Sequence, residues 1–161
     1  VWEIPIVAAL FLYGPKAGAV ISVLNTMVLL AVFPGALPTG PLYNLAAVLS
    51  MLLGVYIVFW TTAHSPRGQR SSVLIPSFAA VGITTRVVVM TVVNWALLRY
   101  PPPVGFSIPP EALVALLPLI GVFNATLALY TIPVGYFIAK AVISSTRVSE
   151  WREATRVYGE E

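Results

Sequence analysis

The sequence predicts an all-α integral membrane protein, built as a compact helical bundle, and two observations indicate this fold. First, 58% of the 161 residues are hydrophobic and only 9% are charged, whereas ordinary globular domains average about 45–50% apolar and about 25% charged residues. Second, the apolar residues form continuous runs rather than the alternating pattern of membrane β-strands. Because every backbone polar group inside lipid must be paired, we expect these runs to be helices.

Proline, glycine and charged residues divide the chain into five apolar segments. The first has only twelve residues and reaches about 18 Å as a helix, less than the roughly 30 Å hydrocarbon core of a bilayer. Residues 111–120 precede the last segment and are expected to form a separate outer helix or re-entrant turn, broken at Pro118. The five segments, each predicted to be a span, are residues 2–13, 17–33, 42–60, 73–99 and 119–143.

Two segments place small residues four positions apart, a spacing that lets neighbouring helices approach closely in lipid. We interpret both sets as packing within the bundle, with contact to a partner subunit as the alternative. The sets are Ala46, Ser50 and Gly54 in the third segment, and Thr131, Gly135 and Ala139 in the fifth.

The positive charges predict the orientation of the chain. Lysine or arginine occurs at Lys16, in the loop 61–72 and in the tail 147–161, whereas the proline-rich turns 34–41 and 100–110 contain neither. Short positive loops stay in the cytoplasm. We therefore expect a multi-pass protein of the plasma membrane, with its C-terminus in the cytoplasm and both proline-rich turns outside.

The same alternation places the first residue outside, and a preceding helix crossing from the cytoplasm would account for it. We therefore expect six spans in the intact protein, the first of them missing from this chain. Two regions follow: a transmembrane bundle over residues 1–146 and a cytoplasmic tail over residues 147–161. The tail is expected to be an amphipathic helix against membrane lipid, with helical spacing at Val148, Trp151, Thr155 and Tyr158.

The residues that usually carry catalysis are nearly absent. The chain has no cysteine and no aspartate, and its single histidine, His64, lies in a basic loop. No group of His and Glu residues is spaced for a metal ion, and neither a dinucleotide-binding nor a P-loop glycine motif occurs. We expect neither an enzyme nor a metal site nor a cofactor. The net charge of +3 is explained by membrane orientation, so nucleic acid is not an expected partner.

Three asparagines within the apolar segments are the main candidates for a binding site. On the predicted topology Asn44, Asn94 and Asn124 all lie in the outer half of the bundle, with Tyr43 and Trp95 adjacent in sequence. Amides and aromatic rings at one level predict a pocket for a flat, hydrogen-bonding small molecule that enters from outside. The alternative is that the amides only join helices through hydrogen bonds.

Arg86 lies near the middle of the fourth segment. Even the lenient insertion scale assigns about 2.5–3.5 kcal/mol to an arginine at that depth. We therefore expect Arg86 to face the bundle interior, a water-filled cavity or a partner. It shares a helix side with Asn94, so it could lie below the pocket or bind carbonyl groups of a broken neighbouring helix.

Five short stretches, taken in chain order, resemble a known family. These are the S components, the substrate-binding membrane subunits, of energy-coupling factor (ECF) vitamin importers, and the riboflavin-type members are the most similar. The stretches resemble an acidic-x-Pro start, a Gly-Pro-x-Ala-Gly turn, a helix entry ending in Ala-Asn, a Leu-Asn-Tyr stretch leading to Leu-Pro, and a Pro-Phe-Asn start of the last helix. In the same order, the stretches in this chain are Glu3–Pro5, Tyr13–Gly18, Pro38–Asn44, Val92–Pro101 and Gly121–Ala125.

The resemblance implies a six-helix fold and a subunit that captures a vitamin from outside. It also implies association with a transmembrane coupling (T) subunit and two cytoplasmic ATPases. The riboflavin-type members carry a lysine three residues after the Pro-Phe-Asn asparagine, where this chain has Leu127, and a Lys-Asn pair where it has Asn25 and Thr26. The implied ligand is therefore riboflavin or a related small molecule. The rivals are a structural subunit of a membrane complex and an intramembrane lipid enzyme, which the missing catalytic groups disfavour.

Overall fold

The computed structural model describes residues 2–32, 37–63 and 71–146, and the secondary structure within these ranges is helical. The predicted tail 147–161 and the loop that contains His64 lie outside the described residues. The helices are α1 (Glu3–Tyr13), α2 (Pro15–Val32), α3 (Gly40–Ala63), α4 (Ser71–Leu97) and α5 (Pro110–Thr146).

Four of these helices, α2 to α5, are long and apolar enough to cross a membrane. The chain is therefore a multi-pass helical membrane protein. Helix α1 has 11 residues and extends about 16 Å. Of the five predicted spans, the first is thus a helix that is too short to cross the bilayer alone.

The expectation of a separate outer helix broken at Pro118 was wrong. Helix α5 runs without interruption over 37 residues and contains both Pro118 and Pro133. A proline removes one backbone hydrogen bond and bends a helix, but neighbouring helices in a membrane bundle hold the bent segment together. At about 55 Å, α5 is longer than the hydrocarbon core, so it must tilt or project beyond it.

The helices pack in the order α2–α3–α4–α5, and α1 closes the arrangement by lying between α5 and α2. A buried apolar core joins α1 to α3, α4 and α5, and Val7, Met51 and Ile132 have almost no exposed surface. At the edge of this core, the ring of Phe11 meets the core residue Phe78 edge to face, with the ring centroids 5.2 Å apart. The half of the bundle that contains α1 is therefore densely filled.

Five of the six small residues are buried inside the bundle, as interpreted from sequence, and Ala46 is half-buried. At Gly54 in α3, an added Cβ would lie 2.8 Å from the carbonyl oxygen of Val81 and would also meet Thr85 in α4. At Gly135 in α5, it would lie 2.7 Å from Cγ1 of Val7 in α1. Both distances are shorter than real Cβ contacts, so these glycines set the separation of α3 from α4 and of α1 from α5.

The turn between α4 and α5 is attached to the start of α3. The hydroxyl of Tyr43 donates a hydrogen bond to the carbonyl oxygen of Val104 at 2.6 Å, and Thr39 donates one to the carbonyl oxygen of Pro103, also at 2.6 Å. The two turns predicted to face outside therefore lie at the same end of the bundle. The α1–α2 turn at Gly14 lies at the opposite end, because α2 spans the distance between them.

Candidate functional site: a cavity above a buried ion pair

A cavity of about 690 Å³ opens between α1, α3, α4 and α5. Helix α1 begins at Glu3, beside the middle of α4. The cavity lies next to this point, between the start of α3, the last turns of α4 and the middle of α5. Its apolar lining includes Met90, Leu119, Ile120, Phe123, Leu127 and Tyr130.

At one end of the cavity, Arg86 of α4 pairs with Glu3 of α1. Nη1 of Arg86 donates to Oε2 of Glu3 at 2.5 Å, and Nη2 donates to Oε1 at 3.0 Å. Arg86 is 1% exposed and Glu3 is 5% exposed. The two parallel hydrogen bonds are the bidentate geometry in which arginine binds carboxylates most strongly. The ion pair therefore joins the start of α1 to the middle of α4.

Helices α3 and α5 complete this network. Nε of Arg86 donates to Oδ1 of Asn124 at 3.1 Å, and Nη1 also lies 3.6 Å from the sulfur of Met51. With its amide oriented to satisfy both neighbours, Asn44 donates to Oε1 of Glu3 at 3.3 Å and accepts from Nε1 of Trp2 at 3.2 Å. Side chains from four helices therefore meet at one buried ion pair.

This network explains how an arginine is tolerated at this depth. An isolated guanidinium there costs several kcal/mol, but Arg86 has an opposite charge and a hydrogen-bonded amide as partners. Removing one member of a buried pair costs about 3–5 kcal/mol, because the other charge stays buried and uncompensated. Each member of the pair therefore needs the other in the folded bundle, and together they form the polar end of the cavity.

Asn94 lies further along α4 on the same cavity wall. It is 9% exposed, and its Nδ2 donates to the carbonyl oxygen of Met90, four residues earlier, at 2.6 Å. An asparagine amide has two N–H donors and one acceptor oxygen. Within the described part of the chain, the remaining N–H and the oxygen make no hydrogen bond to the protein, so they are free to bind a ligand in the cavity.

The structure brings together most of the residues that were predicted from sequence. Tyr43, Asn44, Arg86, Asn94 and Asn124 all line the cavity. The expectation that Arg86 faces the interior on the side of Asn94 is confirmed. Two environments were predicted for Arg86, a position below the pocket or contact with carbonyl groups of a broken helix. The structure has the position below the pocket, because the hydrogen bonds of Arg86 go to side chains.

Trp95 does not lie with these residues. Its side chain is 48% exposed, and the guanidinium of Arg99 lies 4.2 Å from its ring centroid. Trp95 belongs to the outer surface near the end of α4, where an indole paired with an arginine is typical of a membrane interface.

Sequence reasoning missed Glu3. The sequence predicted that the first residue lies outside, which puts Glu3 near the outer end of the first segment, whereas the structure places Glu3 inside the bundle. One signal was present: Glu3 is the only acidic residue within the five apolar segments. A single cation buried among apolar segments needs an anion, and Glu3 was the only one available there.

The chemistry that this arrangement supports is binding. Among the described residues, no group of three or more His, Cys, Asp or Glu side chains could hold a metal ion. Apolar walls with a few amide groups and one neutralised ion pair are typical of a small-molecule pocket.

We compared the chain with protein-family models, with curated proteins and with solved structures, and found no match in any of the three. The fold and the cavity define the class of protein, a multi-pass helical membrane protein with a small-molecule-sized cavity in its bundle.

Proposed function

We propose that the protein is the substrate-capture subunit of an ECF-type vitamin importer, and that it binds riboflavin or a related small molecule in the cavity between α1, α3, α4 and α5. The ligand enters from the outer side of the plasma membrane. A transmembrane coupling subunit and two cytoplasmic ATPases then drive its release to the inside.

The cavity is the observation that carries this proposal. Its volume of about 690 Å³ lies within the roughly 300–1,000 Å³ that is usual for ligand sites. Its walls are mainly apolar, and Asn94 and Asn124 contribute amide groups with unused hydrogen-bonding capacity. These features suit a flat ring system that has polar groups at its edge.

The motif resemblance supports the more specific part of the proposal. Three of the five stretches that resemble the riboflavin-type S components contribute a residue to the cavity-side network, namely Glu3, Asn44 and Asn124. A fourth contributes Asn94. If these stretches form one ligand site, their residues must lie close together in space although they are far apart in sequence, and these four residues do line one cavity. The C-terminus would lie in the cytoplasm, on the side of the ATPases.

Ligand co-purification tests the proposal. The full chain is expressed in a host that supplies vitamins, purified in detergent and denatured, and the released small molecules are identified by absorbance and mass spectrometry. We expect a molecule of vitamin size at up to one equivalent, with a flavin spectrum if the ligand is riboflavin. If a different vitamin is released, the protein would still be a vitamin-capture subunit, but its substrate would not be riboflavin.

A structural role for the asparagines is the competing function, and one observation favours it: the network joins four helices through hydrogen bonds that need no ligand. A protein that purifies without a small molecule and then binds none of the vitamins tested by titration would support this structural role and overturn the proposed capture function.

A further inference from the structure

We propose that the cavity selects an uncharged ligand, and that Glu3 sets this selectivity by neutralising Arg86. The inference rests on the proposed function, because it concerns the ligand of the same cavity, and it names the charge class of that ligand.

The charges that line the cavity cancel. Among the described residues on its wall, Arg86 is the one cation and Glu3 is the one anion, and they are bound to each other. A ligand in this cavity therefore meets a dipole and several neutral amides rather than a net charge. Because the walls are mainly apolar, a net charge on the ligand would lose part of its hydration without a counter-charge in return.

Arginine usually binds anionic ligands through its two-pronged edge, but that edge of Arg86 is already occupied. Nη1 and Nη2 both donate to the carboxylate of Glu3, and Nε donates to Asn124. A phosphate or carboxylate could form two parallel hydrogen bonds with Arg86 only by displacing Glu3 or the amide of Asn124. In either case the anion would be buried close to the Glu3 carboxylate, and repulsion between the two negative charges opposes its binding.

A cationic ligand meets the opposite obstacle. Both oxygens of Glu3 accept hydrogen bonds, from Arg86 and from Asn44, and any cation near them would also lie near the guanidinium. The hydrogen-bonding capacity that is left comes from neutral groups, chiefly the amide of Asn94. These amides pair best with the N–H and C=O groups of a neutral amide-like or imide-like ring edge.

Matched probes that differ in charge test the inference. We would titrate purified full-length chain with riboflavin and with its phosphate ester, flavin mononucleotide, following flavin fluorescence. A second pair, nicotinamide and nicotinate, would be compared by calorimetry. In whichever pair binds, the uncharged member is expected to bind at least tenfold more tightly than the anionic member.

The variant Glu3→Gln tests the role of Glu3 itself. It leaves Arg86 uncompensated, so the preference for the uncharged probe is expected to shrink at least tenfold or to reverse. The double variant Glu3→Gln/Arg86→Gln removes both charges and is expected to keep the wild-type preference. If Glu3→Gln does not fold, Arg86→Gln provides the opposite test, because a negative cavity should discriminate even more strongly against the anionic probe.

The outcomes separate the two proposals. Binding of the anionic member as tightly as the uncharged one, or a preference unchanged in Glu3→Gln, would overturn the charge selectivity and leave the capture function standing. A weaker preference for the uncharged probe in Arg86→Gln would also overturn the charge selectivity and leave the capture function standing. Failure of every probe and every vitamin to bind would overturn the capture function and the selectivity together.

Discussion

At the scale of single residues, the pairing of Arg86 with Glu3 shows how a membrane bundle accommodates charge. Both side chains are more than nine-tenths buried, and each would be costly alone at that depth. Their two hydrogen bonds, with those from Asn44 and to Asn124, satisfy most of the polar atoms involved. The contribution of the pair to the free energy of unfolding is therefore seen mainly when one partner is removed and the other stays buried without a counter-charge.

Arg86→Gln is expected to lower the free energy of unfolding by about 3–5 kcal/mol, because Glu3 then stays buried without its counter-charge. The measurement is reversible unfolding of the purified protein in mixed micelles at increasing denaturing detergent. The control is Glu3→Gln/Arg86→Gln, which has no buried charge and should recover more than half of the loss. Equal stability of the single and double variants would contradict the coupling of the two residues.

Asn94→Leu is expected to weaken ligand binding more than tenfold, equivalent to about 1.4 kcal/mol, because it removes the amide groups that face the cavity. Trp95→Leu is the matched control. The neighbouring side chain is 48% exposed and away from the cavity, so its loss should leave the affinity unchanged. The readout is ligand titration by fluorescence or calorimetry. An Asn94→Leu protein with unchanged affinity and a lower melting temperature would show that Asn94 only joins helices.

At the scale of secondary-structure elements, glycines set how closely the helices pack. Gly135 allows α5 to approach Val7 of α1, and Gly54 allows α3 to approach α4. The cavity lies away from these two contacts and is lined mainly by α3, α4 and α5. Close packing and an open cavity therefore occur in different parts of the same bundle.

Two glycines of α5 provide a direct test of this packing. Gly135→Ala is expected to reduce the unfolding free energy by about 1–3 kcal/mol, because the new methyl group would lie 2.7 Å from Cγ1 of Val7 and force the helices apart. Gly121→Ala is the control, since its methyl group would meet only Cγ1 of Val87 at 3.8 Å. It should be neutral or stabilising, as alanine favours helices. The same unfolding assay applies, and equal effects of the two changes would contradict the close contact.

The elements also show what sequence patterns could and could not predict. The four long apolar segments appear as α2 to α5 because their length and composition already suit a membrane span. The boundary at Pro118 was misplaced because a proline signals a helix break locally, whereas the neighbouring α4 packs along α5 and supports a continuous helix. Local sequence carries no information about that support.

At the scale of the whole molecule, the chain reversals alternate between two ends of the bundle. The turn between α4 and α5 lies at the end where α3 begins, held there by Tyr43 and Thr39, and the turn between α1 and α2 lies at the other end. The loop charges predict that the first of these ends faces outside and the second faces the cytoplasm.

Site-directed cysteine labelling tests this orientation, and the natural chain is convenient because it contains no cysteine. Phe106→Cys, at an exposed position of the α4–α5 turn, should react with a membrane-impermeant maleimide in intact cells. Lys16→Cys, exposed at the start of α2, should react only after the membrane is permeabilised. The reverse pattern would show that the protein has the opposite orientation and that the cavity opens to the cytoplasm.

The amino-acid sequence by itself determined the class of this protein, because hydropathy is a sum over neighbouring residues and needs no knowledge of the fold. It also determined that Arg86 must face inward, since lipid offers a guanidinium no partner. The sequence offered Glu3 as the one acidic residue within the apolar segments, and the tertiary structure decided that it is that partner, that Trp95 lies outside the cavity and that the cavity exists. Each of these depends on the depth and rotation at which separate helices pack, and those are set by contacts between residues far apart in the chain.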